Sequence, residues 1–322
     1  MSKIKEKNIT APQLITYGFA TIILVGATLL SLPISSQTGE ATNFLDALFT
    51  ATSATCVTGL TTLTTATHWS TFGHLVILTM IELGALGFMS LPVLFYLVTR
   101  KKVGLGMRIL LQQSLNSDRR TGEVSLMIYI LKNALLIQLA GFLLLAIDFI
   151  PRFGWKKGTW FSLFHAVSAF GNAGFDLFGD SLVGFQQNPW VLSIISGLII
   201  SGGLGFLVWS DVLSYKRVRR ISLHSKIALI VTATLLIFGT LGFMLTEGNA
   251  ASLAEGNVIH RFFNTIFMSV TPRTAGFFSV DYASMTHAGL LLTIILMFIG
   301  GTSGSTAGGF KTTTFGILII KL

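Results

Sequence analysis

The sequence predicts an all-α integral membrane protein built from tandem units of span, short re-entrant helix, glycine stretch and span. Three observations carry this. Only 11% of the 322 residues are charged, against about 25% in soluble domains, and the mean hydropathy is +0.74. Apolar runs near 13–33, 73–99, 124–150, 189–213, 224–246 and 287–320 are long enough to cross a hydrocarbon core of about 30 Å. Between them a glycine-bearing pattern recurs three times. Disorder is excluded by 26 Phe residues and long Leu/Ile/Val runs. A lone cysteine, Cys56, leaves no disulfide framework and no multi-cysteine metal site.

The net charge of +9 matters less than its placement. Lys3, Lys5 and Lys7 precede the first run. Arg100, Lys101, Lys102, Arg108, Arg119 and Arg120 fill the connection between the second and third. Lys216, Arg217, Arg219, Arg220 and Lys226 fill that between the fourth and fifth. The opposite loops hold little more than Arg152, Lys156 and Lys157. This alternation places the N-terminus and both basic connections in the cytoplasm, and it argues against a nucleic-acid surface. The first run is too long for a signal-peptide core, and no A-x-A cleavage site follows it.

Each outer connection holds a helical pattern too short to span: Asn43–Ala54, Thr159–Ala169 and Val258–Val270. A polar stretch follows each: TCVTGL at 55–60, FGNAGF at 170–175 and PRTAGF at 272–277. Gly59, Gly174 and Gly276 align, 115 and 102 residues apart, with Ser53, Ser168 and Ser269 upstream. A G-x-x-G motif follows in each unit, at Gly84–Gly87, Gly202–Gly205 and Gly301–Gly304, its last glycine 28, 31 and 28 residues after the matched one. The units are 1–100, 123–215 and 224–322, joined by basic connections at 101–122 and 216–223.

Non-helical backbone at membrane depth is tolerated only where protein buries it or it lines water. Carbonyls freed after a half-helix can replace the hydration shell of a cation. Glycine permits the φ values that aim them, small Thr58, Ala173 and Ala275 allow close approach, and the helix C-terminus adds partial negative charge. Glycines that merely permit helix packing account for the G-x-x-G copies, but not for glycines that follow a half-helix.

With these segments in view, TATSATCVTGL (50–60), HAVSAFGNAGFDLFG (165–179), SVTPRTAGF (269–277) and GGTSGSTAGGFKTTT (300–314), the chain resembles the membrane subunit of the Trk/Ktr/HKT superfamily of potassium transporters, of the bacterial Ktr type. The resemblance implies M1–P–M2 repeats around a pseudo-fourfold pore, one filter glycine per repeat, and potassium as the transported ion. By that resemblance Gly59, Gly174 and Gly276 are filter glycines, and the backbone carbonyls of Val57, Thr58, Asn172, Ala173, Thr274 and Ala275 help bind the ion. It also implies a homodimer in the plasma membrane and a cytoplasmic nucleotide-binding regulatory ring docked on the basic face. This chain itself has no nucleotide motif or cofactor. The family has four units and this sequence holds three, ending at Leu322. Either the chain is truncated at its C-terminus or the fourth side comes from elsewhere. Sodium remains open, as the transported ion or as a coupling ion.

The last apolar run is interrupted by Gly300, Gly301, Thr302, Ser303, Gly304, Ser305, Thr306, Ala307, Gly308 and Gly309. So many weak helix formers unwind the middle of a span. By the resemblance this segment is an intramembrane gate below the filter. Lys311 either repels cations there or snorkels to the surface. The P-loop spacing is not met. Gly301-Thr302-Ser303-Gly304 matches a rhomboid-type protease nucleophile motif, but such an enzyme needs a histidine base on a later helix. His68, His74, His165, His224, His260 and His287 all precede Ser303.

Ionisable residues within the spans invite a functional reading. Glu82 either attracts cations or pairs with a polar neighbour, and Lys132 snorkels. Asp176, Asp180, Glu40, Glu247 and Glu255 make an acidic outer mouth, and Asp46 sits early in the first short helix. Arg273 lies within the third stretch, so its side chain is expected to turn back into an acidic or carbonyl partner.

Overall fold

The computed structural model of the chain describes residues 11–87, 123–248, 253 and 257–321. Lys3, Lys5, Lys7, Glu255, the basic connection 101–122 and the later part of the second apolar run lie outside the described residues. Among the described residues the secondary structure is helical, and β-type pairing is confined to isolated bridges, Ser36 with Trp69 and Ile299 with Phe310.

Three groups of helices follow one another in chain order. The first comprises α1 (Ala11–Ser31), the short α2 (Phe44–Thr55) and α3 (Thr71–Ala85). The second comprises α4 (Glu123–Phe153), α5 (Trp155–Gly171), α6 (Pro189–Leu204) and α7 (Phe206–Val218). The third comprises α8 (Leu223–Glu247), α9 (Val258–Val270), α10 (His287–Phe298) and α11 (Thr312–Lys321). Ile128–Phe153 and Leu223–Glu247 are each long and apolar enough to cross a membrane. Thr16–Ser31, Thr71–Ala85 and His287–Phe298 are shorter apolar helices.

Asparagine starts two of the short helices. Asn43 accepts from the Leu45 amide (3.0 Å) and Asn257 from the Val258 amide (2.7 Å), satisfying donors that a helix N-terminus otherwise leaves open. The middle one, α5, begins four residues earlier than its pattern suggested. Trp155, Lys156 and Lys157 form an exposed first turn, and lysines there oppose the helix dipole, which is why the sequence placed the start later. Gly154 alone separates α4 from α5, at a φ of +79°.

The short helices lie within the core. Ala47, Ala51 and Ala54 of α2 are wholly buried, as are Phe164, Ala166 and Ala169 of α5 and Phe267 of α9. The second unit lies in the middle, α5 packing on α3 of the first and α6 on α9 of the third. The loops that follow α5 and α9 are also tied, through Leu182 N–H to the Phe278 carbonyl (2.9 Å) and Gln186 Nε2 to the Ser279 carbonyl (2.6 Å).

The fourth apolar run is not one straight span. It breaks at Gly205, where φ is +81° and α6 and α7 meet at 97°. A left-handed residue at that point ends the helix, and glycine takes that conformation without steric cost. The last run is also divided, residues 299–311 being non-helical between α10 and α11.

Candidate functional site

The three glycine stretches leave the C-terminal ends of α2, α5 and α9 with the same backbone. Val57, Asn172 and Thr274 have φ of +56°, +58° and +66°. Two residues on, Gly59, Gly174 and Gly276 have φ of +79°, +71° and +80°. The residues between, Thr58, Ala173 and Ala275, are not in that region. Side chains and peptide groups of an ordinary strand alternate between its two faces. Here a positive φ recurs at every second position, so the stretches are not ordinary strands. For the β-branched Val57 and Thr274 this conformation is a true outlier, costing about 1–2 kcal/mol each. Strain of that kind persists only where its surroundings impose it.

The imposing contacts recur. Thr58 N–H donates to the Ser53 carbonyl and Ala173 N–H to the Ser168 carbonyl, both at 2.8 Å. Ser168 Oγ donates to the Phe175 carbonyl at 2.7 Å, pinning the far end of the stretch. In the third unit the residue in this role is Thr271 rather than Ser269. The Thr271 carbonyl accepts from Ala275 N–H at 3.0 Å and its hydroxyl donates to the Phe277 carbonyl. Ser269 Oγ bonds the Leu236 carbonyl of α8 (2.9 Å). Sequence spacing favoured the serine because it preserved residue type. Geometry preserves the hydroxyl.

The stretches come together. A methyl placed on Gly59 would lie 2.5 Å from the Ala173 carbonyl oxygen, and one on Gly174 would lie 2.9 Å from Gly276 Cα. The second stretch thus stands between the first and third, while Thr58 and Gly276 remain exposed. The Asn172 amide, oriented with its nitrogen toward the carbonyls of Ala169 (3.1 Å) and Ile199 (3.3 Å), turns back toward its own helix end and α6. The first glycine of two G-x-x-G motifs lets the second helix of a unit close on the end of the short helix. Methyls on Gly84 and Gly202 would each lie 2.0 Å from the carbonyl oxygens of Thr55 and Phe170.

Residues 300–309 fold against these stretches. Gly301 N–H donates to the Gly308 carbonyl (3.2 Å) and Gly300 N–H to the Phe310 carbonyl (3.0 Å), closing the loop at its neck. Gly308 N–H donates to Thr274 Oγ1 of the third stretch at 3.1 Å. Thr306 Oγ1 donates to the Phe170 carbonyl at the end of α5 (3.0 Å). Ser305 Oγ donates to the Thr302 carbonyl at 2.7 Å, and Ser303 Oγ lies 3.4 Å from Thr313 Oγ1. Lys311 does not snorkel. Its ammonium donates to the Ala307 carbonyl at 2.8 Å, folding the side chain back onto the loop. Arg273 is buried, with Nη2 3.4 Å from the Gly300 carbonyl and 3.3 Å from Thr232 Oγ1, so it holds the other end of the same loop through a carbonyl partner.

The remaining charges divide. Glu247 leaves the acidic mouth: it is wholly buried and accepts from the Thr286 amide (3.1 Å) and hydroxyl (2.5 Å), a partner 39 residues later that sequence position does not reveal. Asp176 accepts from the amides of Phe178 (2.8 Å) and Gly179 (2.6 Å), while Asp180 and Glu40 are exposed. Lys132 is exposed on α4. Glu82 pairs with a polar neighbour, accepting from Gln138 Nε2 of α4 at 2.8 Å. Replacing Gln138 by Leu strips the carboxylate of that donor, and a hydrogen bond to a charged group is worth about 1.5–3 kcal/mol. The thermal midpoint of the Q138L protein in detergent is expected to fall; an unchanged midpoint would count against the pair.

Short helices that end in a shared backbone conformation, packed against a non-helical segment between two apolar helices, fit a membrane cation transporter. The comparisons agree with that class. Residues 5–322 match the TrkH family of cation transport proteins, and the chain belongs to that family, a family of transporters and not of enzymes. The Potassium/sodium uptake protein NtpJ of Enterococcus hirae is 58% identical over the whole chain, which covers 71% of that relative. The Ktr system potassium uptake protein B of Bacillus subtilis is 42% identical over 99% of the chain and 72% of its own length. The chain has the fold of the potassium transporter TrkH of Vibrio parahaemolyticus (TM-score 0.68, 17% identity), matching over all of this chain and spanning 63% of that one.

Proposed function

We propose that this chain forms the membrane pathway of a potassium uptake system of the plasma membrane, with its N-terminus in the cytoplasm. The observation that carries the reading is the backbone repeated at Val57–Gly59, Asn172–Gly174 and Thr274–Gly276. Carbonyls of these nine residues take the place of water around one dehydrated K⁺, a role that aimed carbonyls fill in selectivity filters. A fourth stretch, supplied outside the described residues, closes the exposed side next to Thr58 and Gly276. Residues 300–309, held by Lys311 and Arg273, are the gate. The assembly is a homodimer regulated by a cytoplasmic nucleotide-binding ring on its basic face. Sodium enters as a coupling ion, a reading favoured by the 58% identical relative named a potassium/sodium uptake protein.

Rubidium uptake into proteoliposomes carrying the complete transporter tests this. Uptake saturates with external Rb⁺, is displaced by K⁺ and rises when Na⁺ is added outside. Uptake displaced equally by Na⁺ and K⁺ would replace the potassium reading with an unselective cation pathway. Uptake indifferent to added Na⁺ would remove the coupling role alone.

A further inference from the structure

The break between α6 and α7 leaves backbone groups that a straight helix would pair internally. The carbonyls of Ser201, Gly202, Gly203 and Leu204 would accept from the amides four residues on. Here each has a different partner. Trp209 Nε1 donates to the Ser201 carbonyl at 2.8 Å. Gly202 accepts from Gly205 N–H at the helix end (3.3 Å) and from Thr306 N–H of the loop (3.2 Å), while the other two are met by the loop: Thr302 N–H on Gly203 (3.0 Å) and Thr302 Oγ1 on Leu204 (2.5 Å). The freed amide of Phe206 donates to the Gly304 carbonyl at 2.9 Å. Two G-x-x-G motifs of successive units therefore face each other, and a side chain on Gly205 would run into Thr302 Oγ1 (2.6 Å) and the Gly304 oxygen (3.0 Å).

Inside a bilayer an unpaired peptide group is costly. The bend at Gly205 and the docked loop thus depend on each other, because the Gly203 and Leu204 carbonyls and the Phe206 amide take their partners from the loop and would otherwise need water. We propose that the broken helix of the second unit is the receptor of the gate, so that the loop cannot clear the pathway without separating from Gly202–Phe206. Opening then either floods the break with water or straightens it, and the second and third units gate as one element. Thr302 and Thr306 are the positioning residues of the closed state. The inference rests on reading 300–309 as the gate.

Cysteine cross-linking tests it. A Cβ on Gly203 would lie 3.9 Å from Ala307 Cβ, close to the mean of about 3.8 Å in disulfides. The complete transporter carrying Gly203→Cys and Ala307→Cys, with the exposed Cys56 changed to Ser, serves as its own baseline when reduced. On oxidation the bond forms, maximal Rb⁺ uptake falls about tenfold (about 1.4 kcal/mol), and reductant restores it. A bond that forms and leaves uptake intact overturns the proposal, as does a pair that never cross-links. Joint Thr302→Val and Thr306→Val replacement, which keeps loop length and volume, raises resting uptake severalfold; unchanged resting uptake would also overturn it. Deleting 302–307 separates the two readings. Without a rise in flux on deletion the gate itself fails, whereas a rise alongside an inert cross-link removes only the receptor.

Discussion

Gly174→Ser is expected to collapse discrimination between K⁺ and Na⁺ by about tenfold or more, since each 1.4 kcal/mol of lost preference is a factor of ten. Gly174 stands between the other two stretches at φ +71°, and any Cβ there would lie 2.9 Å from Gly276 Cα and 3.1 Å from the Ala275 oxygen. A non-glycine residue adds about 1–2 kcal/mol for the left-handed conformation alone. The cheapest relief is a shift of the stretch, which displaces the carbonyls whose spacing sets ion preference. Competition of Rb⁺ uptake by Na⁺ measures the outcome. Gly197→Ala is the control, because nothing lies within 4 Å of a Cβ there and alanine favours the helix by about 1 kcal/mol. A Gly174→Ser protein with low folded yield but unaltered ion preference would show a glycine needed only for packing.

Deleting 302–307 is expected to raise cation flux about tenfold, equivalent to removing about 1.4 kcal/mol of closure. The deletion is compatible with the fold. Gly301 and Gly308 already meet through a 3.2 Å hydrogen bond at the neck of the loop, so joining them leaves α10 and α11 in place. What disappears is the segment that reaches across to Gly202–Phe206 and the end of α5. Flux in proteoliposomes is read at fixed protein density. An unaltered rate would leave residues 300–309 as a structural break with no hold on the pathway.

The repeat was legible because it is written in glycines at matched intervals. Gly59, Gly174 and Gly276 occupy left-handed positions, and a residue type that alone fits a backbone state tolerates few substitutes. The left-handed conformation two residues earlier was not legible, although the resemblance had singled those residues out. Val57, Asn172 and Thr274 share one conformation but no chemistry, and two of them are β-branched residues that avoid it. Their φ values come from the contacts around each stretch. The hydroxyl that ties the second and third stretches was only half legible, since Thr271 does in the third what Ser168 does in the second, two residues after the serine that aligned.

The sequence alone determined the class of protein, its helical make-up and the segment where the last apolar run leaves the helix. Each of these follows from local quantities, namely apolar length, charge placement and helix propensity, which act within a few turns of chain. Tertiary structure decided the rest. It bent the fourth run by 97° at Gly205, sent Glu247 inward to Thr286 and Glu82 to Gln138, and folded Lys311 onto Ala307. In most of these cases a polar or freed backbone group in an apolar interior took a partner tens of residues distant. That choice depends on which groups the fold brings within 3 Å, and no local pattern encodes it.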